Sequence, residues 1–369
     1  MKKILHVVSS LNINSGVMSV IMNYYRRIDR SLLQFDFMYM EEMSDNHKNE
    51  IATLGGKVFY VPYPSFKPSD QKRLRQFFNQ HKGEYSAIHC HPIWASELVA
   101  REAKRSGITH VIQHSHSTKF SDTKKSEIRN RFLMKFIGFF ATDFIACSPE
   151  AAYLFGKKRV KNGDVMILPN AINLDLYTFD NELRGKIRDE FGCKDDTILV
   201  GNIGRLCPQK NQAFVIDVFR QIHRIIPNSK FLIVGEGALR SDLEKKISDN
   251  GLDDIILLTG KRTDIKAILS GLDVFLMPSF FEGAPVAAIE ARTSGLPCIL
   301  SDTITKSIEM DGIVFQSLDV SSQEWAQKTI DYLRGRLEDD RNDCSEIINH
   351  GFDIAKTTKQ LQNYYLKLS

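Results

Sequence analysis

VFLMPSFFEGAPVAAIEARTSGLPCILS, residues 274–301, passes from a short apolar run through a Gly-Ala-Pro turn into a helical pattern and back to an apolar run. "VFLMPS" and "PCILS" are apolar at consecutive positions, as strands covered by helices on both faces are. Between them "VAAIEARTSG" reads as a helix that opens near Pro285 and closes at Gly295. The same alternation fills the chain. "KILHVV", "FDFMYM", "KVFYV", "AIHCH", "HVIQH", "DFIACS" and "VMILPN" precede residue 180, and "TILVGNIG", "KFLIVG" and "IILLTG" follow residue 190. The expectation is an α/β protein with two Rossmann-like, doubly wound parallel sheets. Their strand carboxyl ends would face each other across a cleft, the usual ligand site of open α/β sheets.

A length of 369 residues exceeds one comfortable core and suits two domains. Asn, Asp and Gly accumulate after "LPNAINLDLY", before a new strand at Thr197. The expected divisions are an N-terminal Rossmann-like domain over 1–180, a C-terminal Rossmann-like domain over 181–350, and a helix over 351–369 that packs back toward the N-terminal domain.

Apolar residues at 43% and charged residues at 25% describe a soluble globular chain. "FLMKFIGFFA" is too short to span a bilayer, and "MKKILHVVSS" lacks a signal-peptide core, so the expected location is cytoplasmic. The six cysteines (90, 147, 193, 207, 298 and 344) show no framework spacing, which points to reduced thiols. The net charge of +4 divides into +8 over residues 1–180 and −4 over the remainder. The first half is thus suited to an anionic partner, a phosphorylated substrate or a membrane surface. No aromatic-interleaved basic motif indicates nucleic acid.

Glu282 and Glu290 flank the turn and the helix of the opening stretch. An unpaired buried carboxylate is costly, so a polar partner is expected there. Eight residues apart along one rigid helix, the two acids form no compact catalytic dyad but reach different parts of one long ligand. Two hydroxyl-rich rings joined by a diphosphate would fit. In "VGNIGRLCPQKNQ" a strand runs through Gly204 into a loop carrying Arg205 and Lys210, then into a helix from about Asn211. Two cations beside a helix start suit a diphosphate, and the same residues read equally as a solvated loop. "FLIVGEGALR" places Gly235, Glu236 and Gly237 at another strand end, where missing side chains admit a ligand to the backbone.

His116 follows the strand "HVIQHS" and, taken alone, reads as a structural histidine. His89, Cys90, His91 and His114 invite a metal, but adjacent strand residues point to opposite faces and no zinc spacing is present. No metal and no other cofactor is expected. "KKSEIRNRFLMKFIGFF" sets Ile128, Phe132, Phe136 and Phe139 or Phe140 at helical spacing among Lys124, Lys125, Arg129, Arg131 and Lys135. The preferred reading is a buried stripe with a solvated basic face. Contact with anionic lipid is the other.

These motifs together resemble the retaining nucleotide-sugar glycosyltransferases of family 4, which have the GT-B fold. The resemblance covers nearly the whole chain. It is carried by E-x7-E at Glu282 and Glu290 within "PSFFEGAPVAAIEARTSGLPCILSD", by Arg205 and Lys210, by "GEG", by "LPNAIN" at 168–173 and by "HSHST" at 114–118. Within that family the chain is similar to the bacterial exopolysaccharide and capsule enzymes. The resemblance implies transfer of a sugar from a nucleotide-sugar, with UDP expected, to a glycan or polyprenyl-diphosphate-linked acceptor at the inner face of the plasma membrane. It implies that Arg205 and Lys210 bind the donor diphosphate, that Glu290 accepts from ribose hydroxyls and that Glu282 accepts from the transferred sugar. The donor site would also include Gly283, Ala284, Pro285 and Val286 around the turn and the backbone of Gly16. Residues 1–180 would bind the acceptor and residues 181–350 the nucleotide-sugar, and His116 would reach the sugar from the acceptor side. The sequence departs from the family pattern at Ser15, Ala171 and Ala238. A sugar-nucleotide epimerase of the same fold, and a partner subunit that binds donor without turnover, share these features. A dehydrogenase fits less well, because the first strand leads into "SSLNINSG" rather than G-x-G-x-x-G.

Overall fold

The structure is a computed structural model that describes residues 1–13, 15–118, 120, 124–136, 139–282, 285–336 and 340–368. It divides into two compact units, Met1–Ala171 with Ile354–Ser369, and Ile172–Asp353.

Among the described residues the first unit holds seven strands: β1 (Lys2–Ser10), β2 (Leu33–Glu41), β3 (Val58–Tyr60), β4 (Ala87–Cys90), β5 (His110–Ser115), β6 (Asp143–Ala146) and β7 (Val165–Ile167). All pair in parallel, in the order β3-β2-β1-β4-β5-β6-β7. The second unit holds β8 (Ile198–Ile203), β9 (Ser229–Val234), β10 (Ile256–Gly260), β11 (Val274–Met277), β12 (Cys298–Ser301) and β13 (Ile313–Gln316), ordered β10-β9-β8-β11-β12-β13 and also parallel. Both orders reverse direction beside their first strand, the topological switch point at which doubly wound sheets bind ligands. β13, in the stretch "GIVFQS", is absent from the runs recognised in the sequence. Its four residues carry only a short apolar signal.

Period-two alternation explains why the strands are apolar throughout. In β8, Leu199 enters one core and Val200 the other. Likewise Leu232 opposes Phe231 and Ile233, and Phe275 opposes Val274 and Leu276. Each face of the sheet therefore buries its own apolar layer. The helices Gln212–Ile225 and Ser322–Arg334 cover one side, where Trp325 is fully buried, and Val286–Thr293 covers the other.

The unit limits fall at Ala171 and Asp353 rather than at 180 and 350. Ile172 is fully buried in the second unit's core, and its amide donates to the Phe352 carbonyl at 2.9 Å. The Asn- and Asp-rich segment that marked a boundary in the sequence thus already belongs to the second unit. The helix Ile354–Lys367 belongs to the first. There Tyr365 is fully buried, and the Gln362 side chain accepts from the Asp29 amide at 2.9 Å.

The helix Lys124–Phe136 departs from the expected buried stripe. Ile128 is 72% exposed and Phe132 is 59% exposed, whereas Asn130 and Met134 face inward. Phe139 is exposed, and Phe140 packs on the core. Periodicity marked a face but not its direction, and the inward positions went to Met134 and to Asn130, whose amide donates to the Phe120 carbonyl at 2.7 Å. The side chains of Lys124, Lys135 and Phe136 lie outside the described ones.

Candidate active site

In the second unit, two loops leave the carboxyl ends of neighbouring strands and are tied together. The segment after β8 carries Arg205 on the surface, a single helical turn at Pro208–Lys210, and Asn211 in the left-handed region at φ 55°. The segment after β11 carries Phe280, Phe281 and Glu282. The Phe280 amide donates to the Gln209 carbonyl at 2.9 Å, and the Gln209 side chain donates to the Phe281 carbonyl at 2.9 Å. Asn211 Nδ2 donates to the Pro278 carbonyl at 3.2 Å, and Gln212 Nε2 donates to the Arg205 carbonyl at 3.0 Å. Gln209, Asn211 and Gln212 do not stand out in the sequence. Their only local signal is amides on both sides of a cation, in "PQKNQ", which is common in surface loops.

This stitching brings Lys210 Nζ to 2.6 Å from Glu282 Oε1, with the two side chains 18% and 11% exposed. At that exposure the pair is screened less than a surface ion pair. Gly204 makes room for the lysine stem, since a Cβ there would lie 3.3 Å from Lys210 Cε.

Gly235 and Gly237 have a packing reason beside the one read from the sequence. A Cβ on Gly235 would lie 2.0 Å from the Gly204 carbonyl oxygen, and one on Gly237 would lie 2.2 Å from that of Leu206. Gly235 also sits at φ +144°. The space freed by these glycines is taken by the adjacent loop, whose Leu206 amide donates to the Glu236 carbonyl at 2.9 Å. The Glu236 carboxylate accepts from Arg240 at 2.6 Å.

Glu290 lies in the helix Val286–Thr293, whose N-cap is Pro285. Its carboxyl pKa is pushed up to about 7, chiefly by burial, with a hydrogen bond from Tyr177 acting the other way. A half-buried acid with no cationic partner among the described residues favours its neutral form until a ligand supplies donors. Pro285 is buried and Val286 half-buried; Gly283 and Ala284 lie outside the described residues.

In the first unit, Gly16 opens the helix Gly16–Tyr25, and the Ser15 hydroxyl accepts from the Met18 amide at 3.4 Å. Among the described residues nothing stands within 4 Å of a Cβ built on Gly16, and first-turn amides of a helix lack acceptors within it. His116 lies one residue beyond β5, and burial lowers its pKa to about 4, so the ring is neutral at pH 7. It is one of five clustered histidines: His6 from β1, His89 and His91 at the end of β4, and His114 and His116 at the end of β5. Opposite-face alternation holds for Cys90, which enters the core on the other side of the sheet. His89 and His91, two residues apart, share a face. His6 does not stand out in the sequence, where an isolated histidine in a strand carries no signal of its partners.

Residues 197–334 match the family described as "Glycosyl transferases group 1", and residues 43–171 match "Glycosyl transferase 4-like domain". The chain is 30% identical over 371 residues to "Putative glycosyltransferase EpsF" of Bacillus subtilis (strain 168), covering 99% of this chain and 96% of that protein. It is 28% identical over 334 residues to "UDP-Gal:alpha-D-GlcNAc-diphosphoundecaprenol alpha-1,3-galactosyltransferase" of Escherichia coli, covering 85% and 84%. Among solved structures, Anabaena Alr3699/HepE in complex with UDP and glucose superposes with a TM-score of 0.81 at 18% identity over all of both chains. With two parallel doubly wound sheets, family matches in both units and an end-to-end relative, the chain belongs to the group 1 and 4-like glycosyltransferases of the GT-B fold.

Proposed function

We propose that the protein transfers a sugar from a UDP-sugar to a hydroxyl of a polyprenyl-diphosphate-linked saccharide in bacterial exopolysaccharide or capsule assembly, with retention of anomeric configuration and without a metal. The observation that carries this reading is the Lys210–Glu282 pair on the stitched loops after β8 and β11, with the partly neutral Glu290 on the following helix. In the free protein Lys210 and Glu282 satisfy each other. An arriving diphosphate competes for the ammonium, with Arg205 as a second cation, and releases Glu282 to accept hydrogen bonds from the donor sugar. As the glycosidic bond breaks, negative charge grows on the diphosphate. Cations held ready for that charge lower the barrier, and they supply it without a divalent ion.

Glu290 accepts from the ribose hydroxyls, and the first-turn amides at Gly16 add donors for phosphate oxygens. No second carboxylate is assigned beside the sugar to serve as a nucleophile, as double displacement requires. The acceptor hydroxyl therefore attacks on the face the diphosphate leaves, and a diphosphate oxygen takes its proton. His116, neutral at pH 7, orders the groups around the reacting sugar and forms no covalent bond.

Support for the acceptor class comes from the Escherichia coli relative, whose name specifies a diphosphoundecaprenol-linked substrate, and support for UDP from that name and from the Anabaena complex. The +8 balance of residues 1–180 and the exposed Ile128 and Phe132 beside Lys125, Arg129 and Arg131 suit docking on anionic lipid at the cytoplasmic face. No helix among the described residues is long and apolar enough to cross a membrane. The decisive test supplies UDP-sugars with and without a polyprenyl-diphosphate saccharide and reads the product by proton NMR. A product with the donor's configuration, formed only with acceptor, is expected. An inverted product would overturn the mechanism, and an isomerised sugar nucleotide formed without acceptor would make the protein an epimerase.

A further inference from the structure

The five histidines form two hydrogen-bonded rows. In one, His6 Nδ1 lies 3.0 Å from His91 Nε2, and His91 Nδ1 lies 2.8 Å from His116 Nε2. In the other, the Tyr365 hydroxyl lies 2.5 Å from His89 Nδ1, and His89 Nε2 lies 3.1 Å from His114 Nδ1. Rings of the first row are inclined by only 14° and 29°, with centroids 5.3 and 5.0 Å apart. Neighbours thus meet edge to edge, each N–H directed at the next ring's lone pair.

Two groups of three histidines, His6 with His89 and His91, and His91 with His114 and His116, keep ring nitrogens within 4.8 Å of one another. A four-coordinate metal, with bonds of about 2.0–2.1 Å, needs lone pairs that converge on one point. Here both nitrogens of His91 are spent on neighbouring rings instead. The contacts describe a relay of neutral imidazoles.

A neutral imidazole owns one N–H and one lone pair, so the direction of the first row is settled as a unit. If the protons pointed toward His6, its Nε2–H would be buried among Phe35 and Phe37 without an acceptor among the described residues. Orphaned buried N–H groups are the rarer and costlier defect. If they point the other way, His6 is left with a bare lone pair and His116 carries its proton on Nδ1. At that end Asn170 is buried, its Oδ1 and His116 Nδ1 each lack a partner among the described residues, and Asn170 is the polar group that counters the effect of burial on the ring. A hydrogen bond between these two atoms would satisfy both.

We propose that His91 and Asn170 are positioning residues that hold His116 as its Nδ1–H tautomer, with protons directed from His6 through His91 and His116 to Asn170 Oδ1. Both His116 nitrogens are then committed to the protein, which fixes the ring's orientation and tautomer before substrate arrives. The consequence for transfer rests on the role given to His116 above; the tautomer does not.

The test is 15N NMR of the full chain labelled at histidine, with kinetics of Asn170→Ala and Asn170→Asp. The wild-type spectrum is expected to show His116 neutral and protonated at Nδ1 from pH 5.5 to 8. Asn170→Ala should change that signal and lower kcat about tenfold at a donor KM within about twofold, the scale of losing the one hydrogen bond that holds the His116 ring in place. Asn170→Asp, which keeps an acceptor and adds charge, should restore the Nδ1–H signal and raise the pH at which the ring gains its second proton. A His116 ring protonated at Nε2, an unchanged spectrum in Asn170→Ala, or a first-row metal bound one per chain in the purified protein would each overturn the relay. Unimpaired transfer by His116→Ala would instead overturn the role of His116 in transfer, while the wild-type spectrum decides the tautomer by itself.

Discussion

Replacing Glu290 with glutamine is expected to separate stability from donor binding. Burial raises the folded-state pKa from 4.5 to about 7, so below pH 4.5 the acid is neutral in folded and unfolded chains alike and contributes no difference. Between 4.5 and 7 the folded state holds the proton more tightly, and stability falls as pH rises. Above 7 the loss is complete. The difference between 4.5 and about 7 corresponds to at most about 3 kcal/mol for a half-buried side chain. Glutamine keeps the shape and an acceptor for Tyr177 but does not ionise. Glu290→Gln should therefore match the wild type near pH 4.5 and melt higher at pH 8, by up to roughly 6–12 °C for a domain of this size. UDP binding should move the other way, weakening about 10- to 100-fold as charged acceptors for the ribose are lost. The assay is thermal melting from pH 4.5 to 8 with UDP titrations by calorimetry in the same buffers. Parallel melting curves for the two proteins would refute a neutral buried Glu290, and equal UDP affinity at pH 8 would refute its contact with the ribose.

Lys210→Ala is expected to lower kcat/KM on the order of a hundredfold through lost stabilisation of the departing diphosphate; wild-type turnover would remove Lys210 from the mechanism. Transfer should survive EDTA, and abolition with rescue by a divalent ion would reverse the metal-free proposal. Gly237→Ala places a Cβ 2.2 Å from the Leu206 carbonyl oxygen, a backbone clash expected to cost about 1–3 kcal/mol in denaturant unfolding; an unchanged midpoint would show that the loop moves freely. Binding to anionic vesicles should fall steeply as salt rises and should weaken in Ile128→Ser with Phe132→Ser. Failure to bind at low salt would indicate an acceptor taken from solution.

Features encoded by neighbours in the chain are legible in the amino-acid sequence by itself. Strands apolar on both faces, helices between them and the spacing of Glu282 and Glu290 are local patterns, because strand period and helical rise are properties of short segments. The residues proposed for the donor stand out for the same reason: a loop at a strand end and the helix that follows lie within one stretch of sequence. Contacts between distant segments are not legible in this way. Lys210 and Glu282 are 72 residues apart, and their ion pair depends on β8 lying beside β11 and on the amides of Gln209 and Asn211 that tie the two loops. The glycines at 235 and 237 look like openings for a ligand because the sequence does not show which backbone fills the space. Ile128 and Phe132 look buried because periodicity defines a face without saying what lies opposite it. The histidine rows join residues 25 and 85 positions apart. Only the pairing of β1 with β4 and of β4 with β5 brings those rings into hydrogen-bond range, since a strand determines which side its residues face and the sheet determines what they meet.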